Sequence, residues 1–313
     1  MILQLAAAFT IVLFFACRCV PREEASLSSE GNAASAAIHG QPIYKSHGSD
    51  FVRWSIQAEY PHDPKAFTQG LELHGGYLYE STGLYGNSEI RRIDPKVGVV
   101  RKSFSLNKNF FGEGITIKDD MIYMLSWRER TGFIFNASNL QLQKEFTFRT
   151  TRNEGWGIAE DERGDFIVSD GSSYLHRWDS GTMAELERIQ VRDPEAEMEP
   201  VGLLNELEHA PALDCILANI WYKDKIACID ASKGIVKATF DLERLYPMSN
   251  RPKTADCMNG IAVVAGGKES LNSGAGRLLW QDVYITGKLW DKLFKVRLEI
   301  LEGGAVSTKI DDL

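Results

Sequence analysis

The chain has 313 residues, of which 44% are hydrophobic and 25% are charged, and its formal net charge is -8. This is the composition of an ordinary globular protein, and it argues against a disordered or fibrous chain. The sequence has no basic stripe, Arg-rich arm or nucleic-acid-binding motif, so we expect no nucleic-acid partner.

The first residues form an apolar run that ends in small residues and is followed by a polar stretch rich in Ser, Ala, Gly and Glu. The run is shorter than the roughly 20 residues that a membrane-spanning helix needs. We interpret residues 1–20 as a secretory signal peptide, with a signal anchor as the alternative, and residues 21–50 as a flexible linker. The protein is then secreted, or periplasmic in a bacterium, and holds no membrane segment after signal removal.

Three cysteines follow this leader: Cys215, Cys228 and Cys257. An odd number excludes a complete disulfide framework. Cys215 and Cys228 flank a predicted hairpin, so they either pair in an oxidising compartment or serve as small buried hydrophobic residues. Asn136 begins an Asn-Ala-Ser sequon, which predicts a glycan if the route is secretory and eukaryotic.

The rest of the chain repeats one pattern five times, in which a small residue is followed by an alternating apolar strand. The repeats are marked by Gly70, Gly114, Gly157 and Gly260, and a weaker copy marked by Glu206 fills the fourth place; the marks are spaced roughly 43–54 residues apart. A second apolar strand follows each mark, and in the first four repeats a third strand ends at Asp94, Asn136, Asp179 or Asp230. Repeats of roughly 40–50 residues with four strands predict the blades of a β-propeller.

The ends of the repeat array indicate how the ring closes. Residues 52–59 form a strand without a blade of its own, and the fifth repeat has only three strands, the last at 293–300. We therefore predict an all-β, five-bladed propeller over residues 51–302 in which the N-terminal strand completes the last blade. Closure removes the exposed sheet edges of an open stack. Residues 303–313 form a short C-terminal tail.

Blade topology brings two sets of residues to one mouth of the central channel, because the second strand of a blade returns antiparallel to the first. Before the first strands lie Gln69, Glu113, Trp156, Asn205 and Asn259, with Phe67 and Phe111 just upstream; after the second strands lie Glu80, Trp127, Asp170, Trp221 and Lys288. Turns usually carry Gly, Asn, Asp and Ser instead. Aromatic residues around a few ionisable groups predict a pocket for a small molecule or a chain terminus. Glu113 in such a box has a raised pKa and suits acid–base chemistry.

Each of these residues also has a plainer interpretation. A tryptophan at a propeller axis is often a packing residue, Glu113 could form an ion pair with Lys288, and the asparagines could cap turns. The six histidines show no metal-ligand spacing, and a zinc site is not predicted.

Along the same residues the chain resembles the plant-type, or papaya-type, glutaminyl-peptide cyclotransferases, which are metal-independent five-bladed β-propellers. The matching stretches keep their order over about residues 52–300 and begin at Phe67, Tyr79, Phe111, Glu154, Ser169, Asn205, Ala218 and Thr286. The departures at Asn87, Ile158 and Asp291 do not touch the proposed chemistry. The resemblance implies that Glu113 is the catalytic proton shuttle. It also implies that the substrate is bound by Phe67, Gln69, Phe111, Trp127, Trp156, Asn205, Trp221 and Lys288.

The implied enzyme is an aminoacyltransferase that cyclises N-terminal glutaminyl residues of peptides and proteins to pyroglutamyl residues with release of ammonia. No cofactor is required. Whether a structural Ca²⁺ ion lies in the channel stays an open question at this point, and we expect a monomer. Two alternatives remain at this point. One is a Ca²⁺-dependent propeller lactonase or hydrolase, with ligands drawn from Glu113, Asn205, Asn259 and Asp170, which leaves the tryptophans unexplained. The other is a non-catalytic propeller that binds peptides, for which Glu113 is dispensable.

Overall fold

The computed structural model describes residues 45–47, 50–272 and 276–303. Regular structure in these residues is β-strand apart from three short 3-10 helices, at Pro194–Ala196, Pro211–Leu213 and Met248–Asn250. None of the described helices has the length and apolar character needed to cross a membrane. The predicted signal peptide, most of the predicted linker and residues 304–313 lie outside the described residues.

Two strands precede the first blade, and three four-stranded antiparallel blades follow. The preceding strands are β1 (Lys45–His47), which falls inside the predicted linker, and β2 (Asp50–Pro61). Blade 1 contains β3 (Thr68–His74), β4 (Tyr77–Thr82), β5 (Glu89–Asp94) and β6 (Val99–Ser105). Blade 2 contains β7 (Gly112–Lys118), β8 (Met121–Ser126), β9 (Thr131–Asn136) and β10 (Leu142–Thr147). Blade 3 contains β11 (Ile158–Glu160), β12 (Phe166–Ser169), β13 (Tyr174–Trp178) and β14 (Glu185–Gln190).

The last two blades carry additional strands. A hairpin of β15 (Arg192–Asp193) and β16 (Glu199–Pro200) lies on the outer edge of blade 4. Blade 4 itself contains β17 (Leu204–Ala210), β18 (Cys215–Ile220), β19 (Lys225–Asp230) and β20 (Ile235–Asp241). Blade 5 contains β21 (Met258–Val263), β22 (Lys268–Asn272), β23 (Gly276–Gly287) and β24 (Lys292–Glu302).

The ring closes through strand β2, as the sequence predicted. β2 pairs antiparallel with β24, from Phe51 opposite Leu301 to Pro61 opposite Lys292, and the sheet order is β1-β2-β24-β23-β21. The first and last parts of the propeller therefore share one sheet, and blade 5 is completed from the N-terminal side. The prediction of a five-bladed, all-β propeller closed in this way is confirmed.

The innermost strands β3, β7, β11, β17 and β21 stand side by side in a ring, each in contact with the next and β21 in contact with β3. The glycine marks lie where these strands approach most closely. A Cβ atom on Gly114 would lie 2.6 Å from the carbonyl oxygen of Trp156, and one on Gly157 would lie 2.2 Å from that of Asn205. Glycine is needed here because any side chain would push two blades apart.

Blade 4 carries Glu206 where the other blades carry glycine, and this side chain bridges the inner strands. Its carboxylate accepts the N–H of Leu71 on β3 at 3.3 Å and that of Ile261 on β21 at 2.9 Å. The inner edge of each first strand has no neighbouring strand to pair with, so its N–H groups need other acceptors. Glu206 thus connects three blades, which explains why the fourth repeat looked weak in the sequence.

Two further carboxylates of the inner strands satisfy backbone donors in the same way. Glu208 accepts the N–H of Val263 at 2.8 Å, and Glu72 accepts that of Ile117 at 3.2 Å. Burial raises the pKa of Glu72 to about 8 and those of Glu206 and Glu208 well above the usual range. Over the described chain, no group of three or more His, Cys, Asp or Glu residues is arranged to hold a metal ion.

The pairing left open for Cys215 and Cys228 is settled by a disulfide bond between β18 and β19, with Cα atoms 5.5 Å apart. Both residues are buried in the core between blades 4 and 5. The bond therefore fastens two neighbouring strands of one blade, and Cys257 remains a free thiol.

Candidate active site

Irregularities of the inner strands aim polar side chains at one mouth of the channel. The pairing of first and second strands shifts register between Thr68 and Gly70, Gly112 and Ile115, Leu204 and Leu207, and Met258 and Ile261. These four shifts enclose Gln69, Glu113, Asn205 and Asn259. A β-bulge inserts one extra residue and redirects its side chain. A β-bulge therefore recurs in four blades at the predicted site positions.

The floor of the pocket is a directed chain of hydrogen bonds that ends at Glu113. Asn259 Nδ2 donates to Gln69 Oε1 at 3.2 Å, and Gln69 Nε2 donates to Glu113 Oε1 at 3.1 Å. Because the Gln69 oxygen accepts from Asn259, its NH₂ group is turned toward the carboxyl group. Among the described residues nothing donates to Glu113 Oε2, so this oxygen remains available to a ligand.

Glu113 is only 5% exposed, and its surroundings favour the protonated form. Burial raises the pKa of Glu113 well above its usual value, the nearby Lys288 ammonium opposes this, and the charges of Glu154 and Glu129 add to it. Lys288 is itself buried, with Nζ 4.9 Å from the centre of the Phe67 ring. A buried carboxyl group with a raised pKa can accept a proton and return it.

Aromatic rings form the wall above this floor. Phe111 lies 6.2 Å from Phe67 and 5.4 Å from Trp127 between ring centres, and Trp156 lies 5.2 Å from Trp221. Trp156 is buried, whereas the other four are half-buried. The pocket thus has polar groups at its base and aromatic faces toward the solvent, as expected for a site that takes up the end of a peptide.

Two asparagines at this mouth, Asn205 and Asn259, have side-chain oxygens without a hydrogen-bond partner among the described residues. Asn205 is 3% exposed, and its Oδ1 is buried, as is Oδ1 of Asn259. An unsatisfied buried acceptor costs about 1–3 kcal/mol. The two buried amide oxygens therefore have unused hydrogen-bonding capacity.

The eight predicted substrate-binding residues and Glu113 are thus all found at this mouth, but two other residues assigned to it by topology face away. Glu80 is fully buried in blade 1, where it accepts hydrogen bonds from Thr68 Oγ1 at 2.6 Å and from Arg91. Asp170 accepts the N–H of Arg152 at 2.6 Å. Asp170 is therefore not available to the Ca²⁺ ligand set of the alternative lactonase, and Lys288 beside Glu113 disfavours a cation there.

Sequence reasoning assigned no role to Glu154, which begins one of the matching stretches and lies two residues before Trp156. Its Oε2 accepts the indole N–H of Trp127 at 2.9 Å and that of Trp156 at 3.0 Å. The topological rule considered only residues next to the strands, and Glu154 belongs to the loop between blades 2 and 3. An acidic residue so close to a predicted site tryptophan was the available signal.

The model of one protein family, described as glutamine cyclotransferase, matches residues 28–298. The chain belongs to the glutamine cyclotransferase family. A glutaminyl-peptide cyclotransferase of Arabidopsis thaliana is 36% identical over 247 residues, which cover 78% of this chain and 71% of that protein. The crystal structure of Myxococcus xanthus glutaminyl cyclase matches with a TM-score of 0.66 and 31% identity, over 80% of this chain and 97% of that one. The resemblance inferred from the sequence motifs is thereby confirmed.

Proposed function

We propose that this family member cyclises N-terminal glutaminyl residues of peptides and proteins, with Glu113 transferring the proton. The observation that supports this most directly is a buried carboxyl group with a raised pKa at the base of an aromatic pocket. One oxygen of Glu113 is held by Gln69, and the other is open to the substrate. The pocket is thus suited to a reaction that needs a proton taken from one nitrogen and given to another.

In the proposed reaction the free α-amine attacks the carbonyl carbon of the side-chain amide, and a five-membered ring forms. The attacking nitrogen becomes cationic and gives a proton to Glu113. The same proton then passes to the amide nitrogen, because an amide leaves only as a protonated amine. The carbon–nitrogen bond breaks, ammonia departs and the Glu113 carboxylate is regenerated.

The remaining pocket residues have roles that follow from their charge and burial. Negative charge develops on the carbonyl oxygen during attack, and the buried Lys288 ammonium, whose charge acts on Glu113, can stabilise it. The aromatic wall limits water at the reacting carbon, so that cyclisation is favoured over hydrolysis. Holding the amine and the amide in contact supplies much of the rate gain.

We propose further that the enzyme acts without a metal ion or other cofactor. Glu113 supplies both proton transfers and Lys288 supplies the positive charge, so the reaction needs no Lewis acid. The substrates are peptides and proteins that begin with Gln, and their first residue binds in the pocket at the mouth of the channel.

We also propose a secretory route for the protein. The Cys215–Cys228 disulfide is suited to an oxidising compartment, and the apolar N-terminal run is suited to a signal peptide. The Asn136 sequon lies in the turn between β9 and β10, at the end of the blade opposite the pocket, where a glycan would leave the site open.

The decisive experiment follows ammonia release from dipeptides that begin with Gln, with and without a chelator. We expect the wild type to be active in both conditions and Glu113→Gln to lose at least about 100-fold in kcat/KM. The exposed Glu145 supplies the control, Glu145→Gln, which keeps wild-type activity. Full activity of Glu113→Gln contradicts the proton-transfer role. Inactivation by chelator supports the Ca²⁺-dependent hydrolase, and peptide binding without turnover supports the non-catalytic propeller.

A further inference from the structure

Glu154 holds together two tryptophans that belong to different blades. Trp127 follows β8 in blade 2, whereas Trp156 precedes β11 in blade 3. Both indole N–H groups donate to the same oxygen, Glu154 Oε2, at 2.9 and 3.0 Å. The other oxygen accepts from Arg128 Nε at 3.3 Å. One carboxylate therefore fixes the relative orientation of two walls of the pocket.

The carboxylate is well placed for this role because its own position is fixed. Thr150 Oγ1 accepts the N–H of Glu154 at 3.1 Å and donates to its carbonyl oxygen at 2.7 Å. The Glu154 side chain is 15% exposed, so it is largely screened from water. A charged acceptor in such surroundings makes hydrogen bonds about twice as strong as neutral ones.

The contacts also decide what the wall presents to a ligand. A buried indole N–H needs an acceptor. Since Glu154 satisfies both donors, Trp127 and Trp156 offer ring faces rather than free N–H groups to the pocket. Without Glu154, each donor would be open to water or to the substrate carbonyl group, and the rings would be free to turn about their side-chain bonds.

The charge of Glu154 acts on the reacting group as well. It is the first of the two acidic neighbours that add to the effect of burial in raising the Glu113 pKa. Lys288 acts in the opposite direction. The proton affinity of Glu113 therefore depends on a balance of fixed charges, of which Glu154 is one.

We propose that Glu154 is a positioning residue of glutaminyl cyclisation, which clasps Trp127 and Trp156 into one wall of the pocket. This inference rests on the proposed function of the pocket. Glu154 acts through Trp127, Trp156 and Glu113 and does not touch the reacting atoms. Glu154 orients the two tryptophans and supplies a negative charge. These two contributions can be separated, because a glutamine amide keeps the hydrogen-bond acceptor and removes the charge.

The test compares Glu154→Gln with Glu154→Ala, with Glu145→Gln as the control. Glutamine keeps an oxygen for the indoles, so we expect a KM within about twofold of wild type. Removing the charge lowers the pKa of Glu113, so the acidic limb of kcat/KM against pH moves to lower pH in both Glu154 variants. Alanine also frees the tryptophans, and we expect a KM at least about tenfold higher, a change of about 1.4 kcal/mol.

Indole N–H resonances in nitrogen-15 NMR spectra give a readout that does not need activity. The signals of Trp127 and Trp156, assigned with Trp→Phe variants, should both move in Glu154→Ala and only slightly in Glu154→Gln. If the Trp127 and Trp156 signals do not move in Glu154→Ala, the inference that Glu154 holds the two indoles is wrong, even if the wild type shows no cyclisation. If the signals move but neither KM nor the pH profile changes, Glu154 is only structural and the inference is wrong. Should Glu154→Ala fail to fold, the pH profile of Glu154→Gln decides.

Discussion

Three kinds of neighbour set the properties of Glu113: the protein interior that surrounds it, fixed charges, and the amide of Gln69. Burial is the largest influence on its pKa, and the charges of Lys288 and Glu154 act in opposite directions. The hydrogen bond from Gln69 has a different effect, because it restrains one carboxyl oxygen and leaves the other to the substrate. Geometry and proton affinity at this residue are thus controlled by different groups.

Asn259 tests the geometric part of this arrangement. Asn259→Ala removes the donor that keeps the Gln69 amide turned toward Glu113, and we expect kcat to fall about five- to tenfold, with little change in KM. The magnitude corresponds to the loss of one buried hydrogen bond. The exposed Asn109 provides the control, Asn109→Ala. Steady-state kinetics with a Gln dipeptide measure both, and wild-type kcat in Asn259→Ala contradicts the orienting role.

At the scale of strands and turns, most of the fold was predictable because each blade repeats the same local sequence. The third strands end at residues such as Asp94 and Asp230, whose side chains accept N–H groups two residues further on. Strand β2 was recognisable because it was a strand without a blade. The contacts of Glu154 with Trp127 and Trp156 could not be derived from the repeat, because they join positions of two blades that are not equivalent; the only signal was an acidic residue close to Trp156.

Among the described residues the disulfide is the one covalent link between strands, and its effect on stability can be measured directly. It closes a loop with a sequence separation of 13, for which chain entropy gives about 3 kcal/mol. We expect the double variant Cys215→Ala, Cys228→Ala to lose about 2–4 kcal/mol in free energy of unfolding, measured by denaturant titration. A reductant should destabilise the wild type by a similar amount and leave the double variant unchanged. Equal stability of the two proteins without reductant contradicts this expectation.

At the scale of the whole molecule, the inner strands form both the site and the ring. The bulges that present Gln69 and Glu113 lie on strands whose glycines allow neighbouring blades to touch. The carboxylate of Glu206 then joins blades 1, 4 and 5 through backbone donors. Strand periodicity shows which residues face the axis but not which partner each finds across it. The network within the channel therefore could not be derived from the sequence.

The channel carboxylates also predict how the ring responds to pH. The pKa of Glu72 is raised from 4.5 to about 8 in the folded protein, chiefly by burial, so folding favours its protonated form. Its contribution to stability is therefore complete below about pH 4.5 and is lost as the pH rises through about 8. Glu72→Gln keeps an acceptor for the Ile117 N–H but cannot ionise. Between pH 6 and pH 9 we expect its free energy of unfolding to fall by about 1–2 kcal/mol less than that of the wild type. Denaturant titrations at the two pH values measure this, with Glu145→Gln as the control. Parallel losses in Glu72→Gln and wild type would show that Glu72 titrates as it does in the unfolded chain.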